Sequence, residues 1–95
     1  MIKRLVLDVL IPNKISIVDF AESLSKLNGI DAVNITVKEV DVETQNIIVV
    51  IEGENIVFND VNELIEKMGG TIHSVDQVVA GKRVINLPEE VSSEL

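Results

Sequence analysis

The sequence predicts an α+β domain in which two strand–helix–strand units share one antiparallel sheet. Three observations carry this prediction. Apolar residues alternate with polar ones along Lys3–Leu10 and again along Val33–Val37, the period-two signature of a strand. Two later stretches, opening near Ser16 and near Asn59, repeat their apolar residues at helical spacing and end in glycine. Between them, a short polar turn at Thr44-Gln45-Asn46 joins two strands directly, which makes the centre of the chain a hairpin.

In the first strand Leu5, Leu7 and Val9 form one face, and Arg4, Val6, Asp8 and Leu10 the other. Pro12-Asn13-Lys14 breaks it. Ser16 is a helix N-cap, with Asp19 three residues on as a capping-box partner. Ile17, Phe20, Ala21, Leu24 and Leu27 make the apolar stripe of that helix, and Gly29 occupies the expected C′ position. Val33, Ile35 and Val37 carry the second strand, whose phase flips at Lys38-Glu39 as Val40 and Val42 take up the apolar beat. A flip of this kind indicates a β-bulge or bend. After the turn, Ile47 to Ile51 are five consecutive β-formers, the pattern of a strand covered on both faces. Gly53-Glu54-Asn55 reads as a turn, and Asn59 or Asp60 as the cap of a second helix carrying Val61, Leu64, Ile65 and Met68. Gly69-Gly70 stops it, and the last strand runs from Thr71 to about Val79 before Ala80-Gly81 bends it.

The order βαββαβ with a tight central hairpin is the ferredoxin-like, split-βαβ signature. Its usual form is a four-stranded antiparallel sheet, order 4-1-3-2, with two helices on one face. Residues 1–87 make the domain, Val84 to Leu87 extend it as an arm, and 88–95 read as an acidic, frayed tail.

Bulk composition removes several classes of function. With no cysteine, disulfides, thiolate metal sites and cysteine nucleophiles are excluded. Only Phe20 and Phe58 are aromatic, so the core must be aliphatic and no stacking platform for bases exists. A net charge of −8 argues against nucleic acid as a partner. No apolar run is long enough to span a membrane, and the chain opens on a strand instead of a signal peptide; both point to the cytoplasm. No CxxC pair, Gly-rich phosphate loop or nucleophile elbow is present.

With both helices on one side, the opposite face of the sheet should be wet. Val6, Leu10 and part of the all-apolar third strand nevertheless point there. A contiguous aliphatic patch of this kind marks an interface. The expected partner is a second copy of the chain, held through the open face, the edge strands or the arm Val84-Ile85-Asn86-Leu87.

Candidate chemistry is confined to carboxylates and one histidine. Strict alternation puts His73 on one face of the last strand and Ser74 with Asp76 on the other, so the three form no triad unless the strand bulges. Asp8 is a carboxylate in the middle of a central strand, where it needs a partner. In the expected sheet it lies near Ser74 and Asp76; Arg4 or Lys82 could instead pair with it. Glu39, Asp41 and Glu43 share one face at i, i+2, i+4. Asp8, Asp76, Glu39 and Asp41 are thus the candidate oxygen ligands for Ca²⁺ or Mg²⁺, against the alternative of a solvated acidic surface. No catalytic residue and no organic cofactor site is assigned.

Across nearly the whole chain up to about Arg83, the sequence resembles an archaeal family known as domain of unknown function 211. The resemblance rests on Arg4-Leu5-Val6-Leu7-Asp8-Val9-Leu10 with Pro12, and on Val33-Asn34-Ile35-Thr36-Val37 running into Glu39-Val40-Asp41. Ile51-Glu52-Gly53-Glu54-Asn55-Ile56 and the Gly69–Gly81 segment with Ile72-His73-Ser74-Val75-Asp76 also match. It implies a ferredoxin-like fold, assembly into hexameric or heptameric rings, no established activity, and an association with calcium. The expectation is a non-enzymatic, ring-forming subunit that binds a divalent cation through surface carboxylates. The alternatives are a regulatory module sensing a small molecule between subunits, and an active site completed across an interface by His73 with Asp8 or Asp76.

Overall fold

Seven elements follow one another in a computed structural model that describes all 95 residues. They are β1 (Ile2–Pro12), α1 (Ile17–Ser25), β2 (Ile30–Val40), β3 (Thr44–Ile56), α2 (Phe58–Lys67), β4 (Thr71–Ala80) and a short α3 (Glu89–Ser92). The sheet order is β2-β3-β1-β4, with every neighbouring pair antiparallel. This is the expected 4-1-3-2 arrangement of a ferredoxin-like fold.

The alternation in the central strands determines which face is dry. Leu5, Leu7, Val9 and Ile11 of β1 and Ile47, Val49 and Ile51 of β3 are buried against Phe20 and Leu24 of α1 and Val61 and Ile65 of α2. Removing each such side chain from water contributes about 1.5–3 kcal/mol, so this aliphatic layer dominates the stability. Between them, Ile48 and Val50 of β3 are only half-buried. The five-residue apolar run is therefore fully covered on the helix side and partly covered on the other.

Helix α1 starts where Ser16 predicts, its Oγ accepting from the Asp19 N–H at 3.3 Å. The helix stops at Ser25, earlier than the glycine implied. Gly29, at φ 83°, instead redirects the chain into β2. Helix α2 begins at Phe58 with Val57 as N-cap and no side-chain cap, so Asn59 and Asp60 lie inside its first turn. Ile56 at the end of β3 is buried, and Val57 alone connects it to the helix. Gly69, at φ 91°, follows the C-cap Met68 as expected.

Two expected turns are strand instead. Thr44, Gln45 and Asn46 pair with Pro12, Ile11 and Leu10, so the hairpin turns at Asp41–Glu43. The Asp41 N–H donates to the Thr44 carbonyl at 2.8 Å and closes it. Gly53-Glu54-Asn55 continues β3, because the backbone there runs against Gly29. The Glu54 N–H donates to the Gly29 carbonyl at 3.1 Å, and a Cβ on either glycine would overlap the other segment. The bulge read at Lys38-Glu39 is present, as the β2–β3 register shifts between Val37 and Glu39.

Beyond β4 the arm forms no strand. It folds back toward the sheet, where Asn86 Oδ1 accepts from Arg4 Nη1 at 2.9 Å. The tail read as frayed forms the single helical turn of α3, with no buried residue.

Candidate functional site

The side chains from which a site could be built lie on the open face of the sheet. Arg4, Val6, Asp8 and Leu10 of β1 stand opposite Glu52, Val50, Ile48 and Asn46 of β3. Asp8 is only 8% exposed. Its Oδ1 accepts from the Asn46 side-chain amide, which also donates to the Val9 carbonyl at 3.2 Å. Its Oδ2 lies 3.6 Å from Lys38 Nζ. The β2 bulge makes this reach possible, since Lys38 is the extra residue between the pairs Val37–Ile47 and Glu39–Asn46.

Neither partner expected for Asp8 is the one it uses. Arg4 is held by Glu52 (Nε to Oε2, 2.7 Å), with Gln77 at 3.4 Å and Asn86 at 2.9 Å. Lys82 lies past Ala80, which pairs with Ile2 at the other end of β1.

Strand β4 departs from strict alternation in two places. The β1–β4 register shifts between Asp8 and Val9 and again between Val6 and Leu7, so His73 and Asp76 are the extra residues. The first bulge turns His73 toward the open face, and the two-face separation expected of His73 and Ser74 does not hold. Asp8 pairs with Ser74 in the register, as expected, and Ser74 Oγ donates to Asp76 Oδ1 at 2.8 Å. His73 is exposed and makes no side-chain hydrogen bond within the chain.

A shallow hollow of about 310 Å³ opens beside the hairpin, lined by Leu10, Glu39, Asp41, Thr44, Asn46 and His73. It brings Glu39 and Asp41 together with the histidine. Asp8 is joined to its wall through Asn46, while Asp76 stands apart on Ser74. No three His, Asp or Glu side chains converge closely enough in one subunit to hold a metal ion.

Sequence reasoning missed Asn46, Lys38 and Asn13. For Asn46 a signal existed, because the open-face series Asn46, Ile48, Val50, Glu52 keeps its period of two straight through the supposed turn. Asn13 donates from its side-chain amide to the carbonyls of Asp41 (2.7 Å) and Val42 (3.1 Å) and from its backbone N–H to that of Glu43 (2.9 Å). Nothing local to Asn13 announces acceptors 28 and 29 residues away.

No helix is long and apolar enough to cross a membrane. The profile of the DUF211 family, described as "Uncharacterized ArCR", matches residues 3–94. An uncharacterized protein of Methanocaldococcus jannaschii is 55% identical over 84 residues, which cover 88% of this chain and 87% of that one.

Proposed function

The chain belongs to the DUF211 family, and on that premise we propose that it is a non-catalytic subunit of a cytoplasmic homo-oligomeric ring of six or seven copies. The observation that carries the reading is the aliphatic surface a single copy leaves in water. Val37, Val40 and Val42 at the hairpin, Val75 and Val78 on β4, and Val84, Ile85 and Leu87 on the arm are all exposed. On so small a domain these side chains are best accounted for by burial in an assembly. A single histidine, no cysteine and no nucleophile motif support a binding role over catalysis.

A divalent cation, Ca²⁺ or Mg²⁺, enters this reading at subunit contacts. Glu39 and Asp41 at the rim of the hollow, or Asp8 and Asp76 on the open face, would need oxygen ligands from a neighbouring copy to complete a coordination shell. Native mass spectrometry after EDTA and again with excess Ca²⁺ tests both parts. A discrete ring that takes up a whole number of metal masses per subunit is the expected result. A ring without uptake removes the cation, and a monomer under both conditions removes the assembly.

The hollow itself favours a second reading, a regulatory module with a small molecule between subunits. Its volume lies at the low end for ligand pockets. A thermal-shift screen of amino acids and nucleotides tests this, since a ligand of the native state raises the melting temperature. A screen without a hit counts against it.

A further inference from the structure

One end of the sheet leaves three carboxylates without an ion pair, the other leaves Lys82 and Arg83 without one beside a single free acid, and both ends expose apolar groups. Along β1, Ile2 pairs with Ile56 and Ala80 at one end, and Pro12 pairs with Thr44 at the other. The intervening strand spans roughly 33 Å, close to the 37 Å longest dimension of the molecule.

At the Pro12 end stands the hairpin tip Asp41-Val42-Glu43, with Glu39 just below it. None of these three carboxylates takes part in an ion pair within the chain. Val42 at their centre is 90% exposed. The tip is nonetheless fixed. Asn13 binds three consecutive carbonyls, and the Asp41 carboxylate accepts the Val42 N–H at 2.8 Å. An exposed valine held this firmly loses little conformational entropy on docking.

At the Ile2 end Lys3 is paired with Glu54 and Arg4 with Glu52. Lys82 and Arg83 have no carboxylate within 4 Å in the same chain. They line a hollow of about 260 Å³ together with Val84, Lys3 and three acids, of which Glu52 and Glu54 are already paired and only Asp31 is free. Ile85 next to them is 66% exposed.

We propose that the hairpin tip of one copy docks at the Lys82-Arg83-Val84 end of the next, with Val42 against Val84 and Ile85 and Glu43 facing the two cations. The proposal rests on the ring reading and names the contact that builds it. The contact joins two different surfaces of the same chain, so each copy keeps one free end until the circle closes. A basic segment of an unrelated protein would satisfy the tip alone. A second copy satisfies both ends.

The test is charge reversal read by native mass spectrometry at moderate ionic strength, with far-UV circular dichroism to verify folding. Glu39→Lys with Glu43→Lys reverses the tip and leaves the Asp41 cap intact. Lys82→Glu with Arg83→Glu reverses the other end. Each pair alone is expected to convert the assembly to monomer, while an equimolar mixture of the two folded variants restores association, in species with an even number of copies and the chains alternating. If the unaltered chain assembles and either reversal leaves it assembled, this contact is wrong and the ring reading stands. Dissociation by each pair without rescue on mixing also overturns it. An unaltered chain that is monomeric removes the contact and the ring reading together.

Discussion

Asn13 holds Val42 in place across 29 residues of sequence, its side-chain amide donating to the valine carbonyl at 3.1 Å and to the Asp41 carbonyl at 2.7 Å. One loop residue between β1 and α1 thereby sets the shape of a hairpin that belongs to β2 and β3. Asn13→Ala removes both side-chain bonds, and at about 1 kcal/mol net each the loss is about 2 kcal/mol. Urea denaturation measures the cost. Hydrogen exchange should localise it, with faster exchange at Asp41 and Val42, whose N–H groups donate to the Thr44 carbonyl and the Asp41 carboxylate, and little change in β4.

The contact between Gly29 and Gly53 predicts a steep difference among glycines. A Cβ at Gly53 would stand 1.9 Å from the Gly29 carbonyl oxygen, while one at Gly81 meets nothing within 4 Å. Gly53→Ala must push two strands apart and is expected to cost more than about 3 kcal/mol, beyond the ordinary range of overpacking. Gly81→Ala bears only the strain of φ 120°, about 1–3 kcal/mol. Equal midpoints for the two variants in chemical denaturation would show that the strands can separate there without loss.

Asp8 is held by Asn46 and Lys38 on a face that was expected to be wet. Asp8→Asn keeps the shape and an acceptor, and is expected to cost about 1 kcal/mol. Asp8→Ala leaves the Asn46 amide with only the Val9 carbonyl and should cost about 1–3 kcal/mol. Denaturation of both variants gives the order, and a less stable Asp8→Asn would contradict the assigned partners.

Lys3 and Glu54 predict a modest acid dependence. The hydrogen bond from Lys3, and then its charge, hold the Glu54 carboxyl below its ordinary value, with burial opposing weakly. A carboxyl depressed by folding contributes stability above its unfolded pKa and loses it as pH falls through the folded one. Exposure of Glu54 to solvent keeps the contribution small. Glu54→Gln should therefore be less stable than the unaltered chain at pH 7 and equal to it near pH 2. A difference of the same size at both values would assign the effect to something other than this charge.

Much of the fold was legible because its signals are local. Alternation through Leu5, Leu7 and Val9, helical spacing through Phe20 and Leu24, and the stop at Gly69 each depend on neighbours a few residues away. The candidate site was less legible. Glu39 and Asp41 do share a hollow, but the bulge that brings His73 to it comes from a register mismatch with β1, which alternation within one strand cannot reveal.

By itself the sequence determined the order of elements, the sheet topology and the aliphatic core, because the period of the apolar residues dictates which face of each element must leave water. Only the tertiary structure decided where the hairpin turns, which groups hold Asp8, and that Lys82 and Arg83 stand at the opposite end of the sheet from Glu43. Those outcomes depend on cross-strand register and on hydrogen bonds between residues far apart in the chain. Burial and partner geometry fix them, and neither exists until the strands have paired.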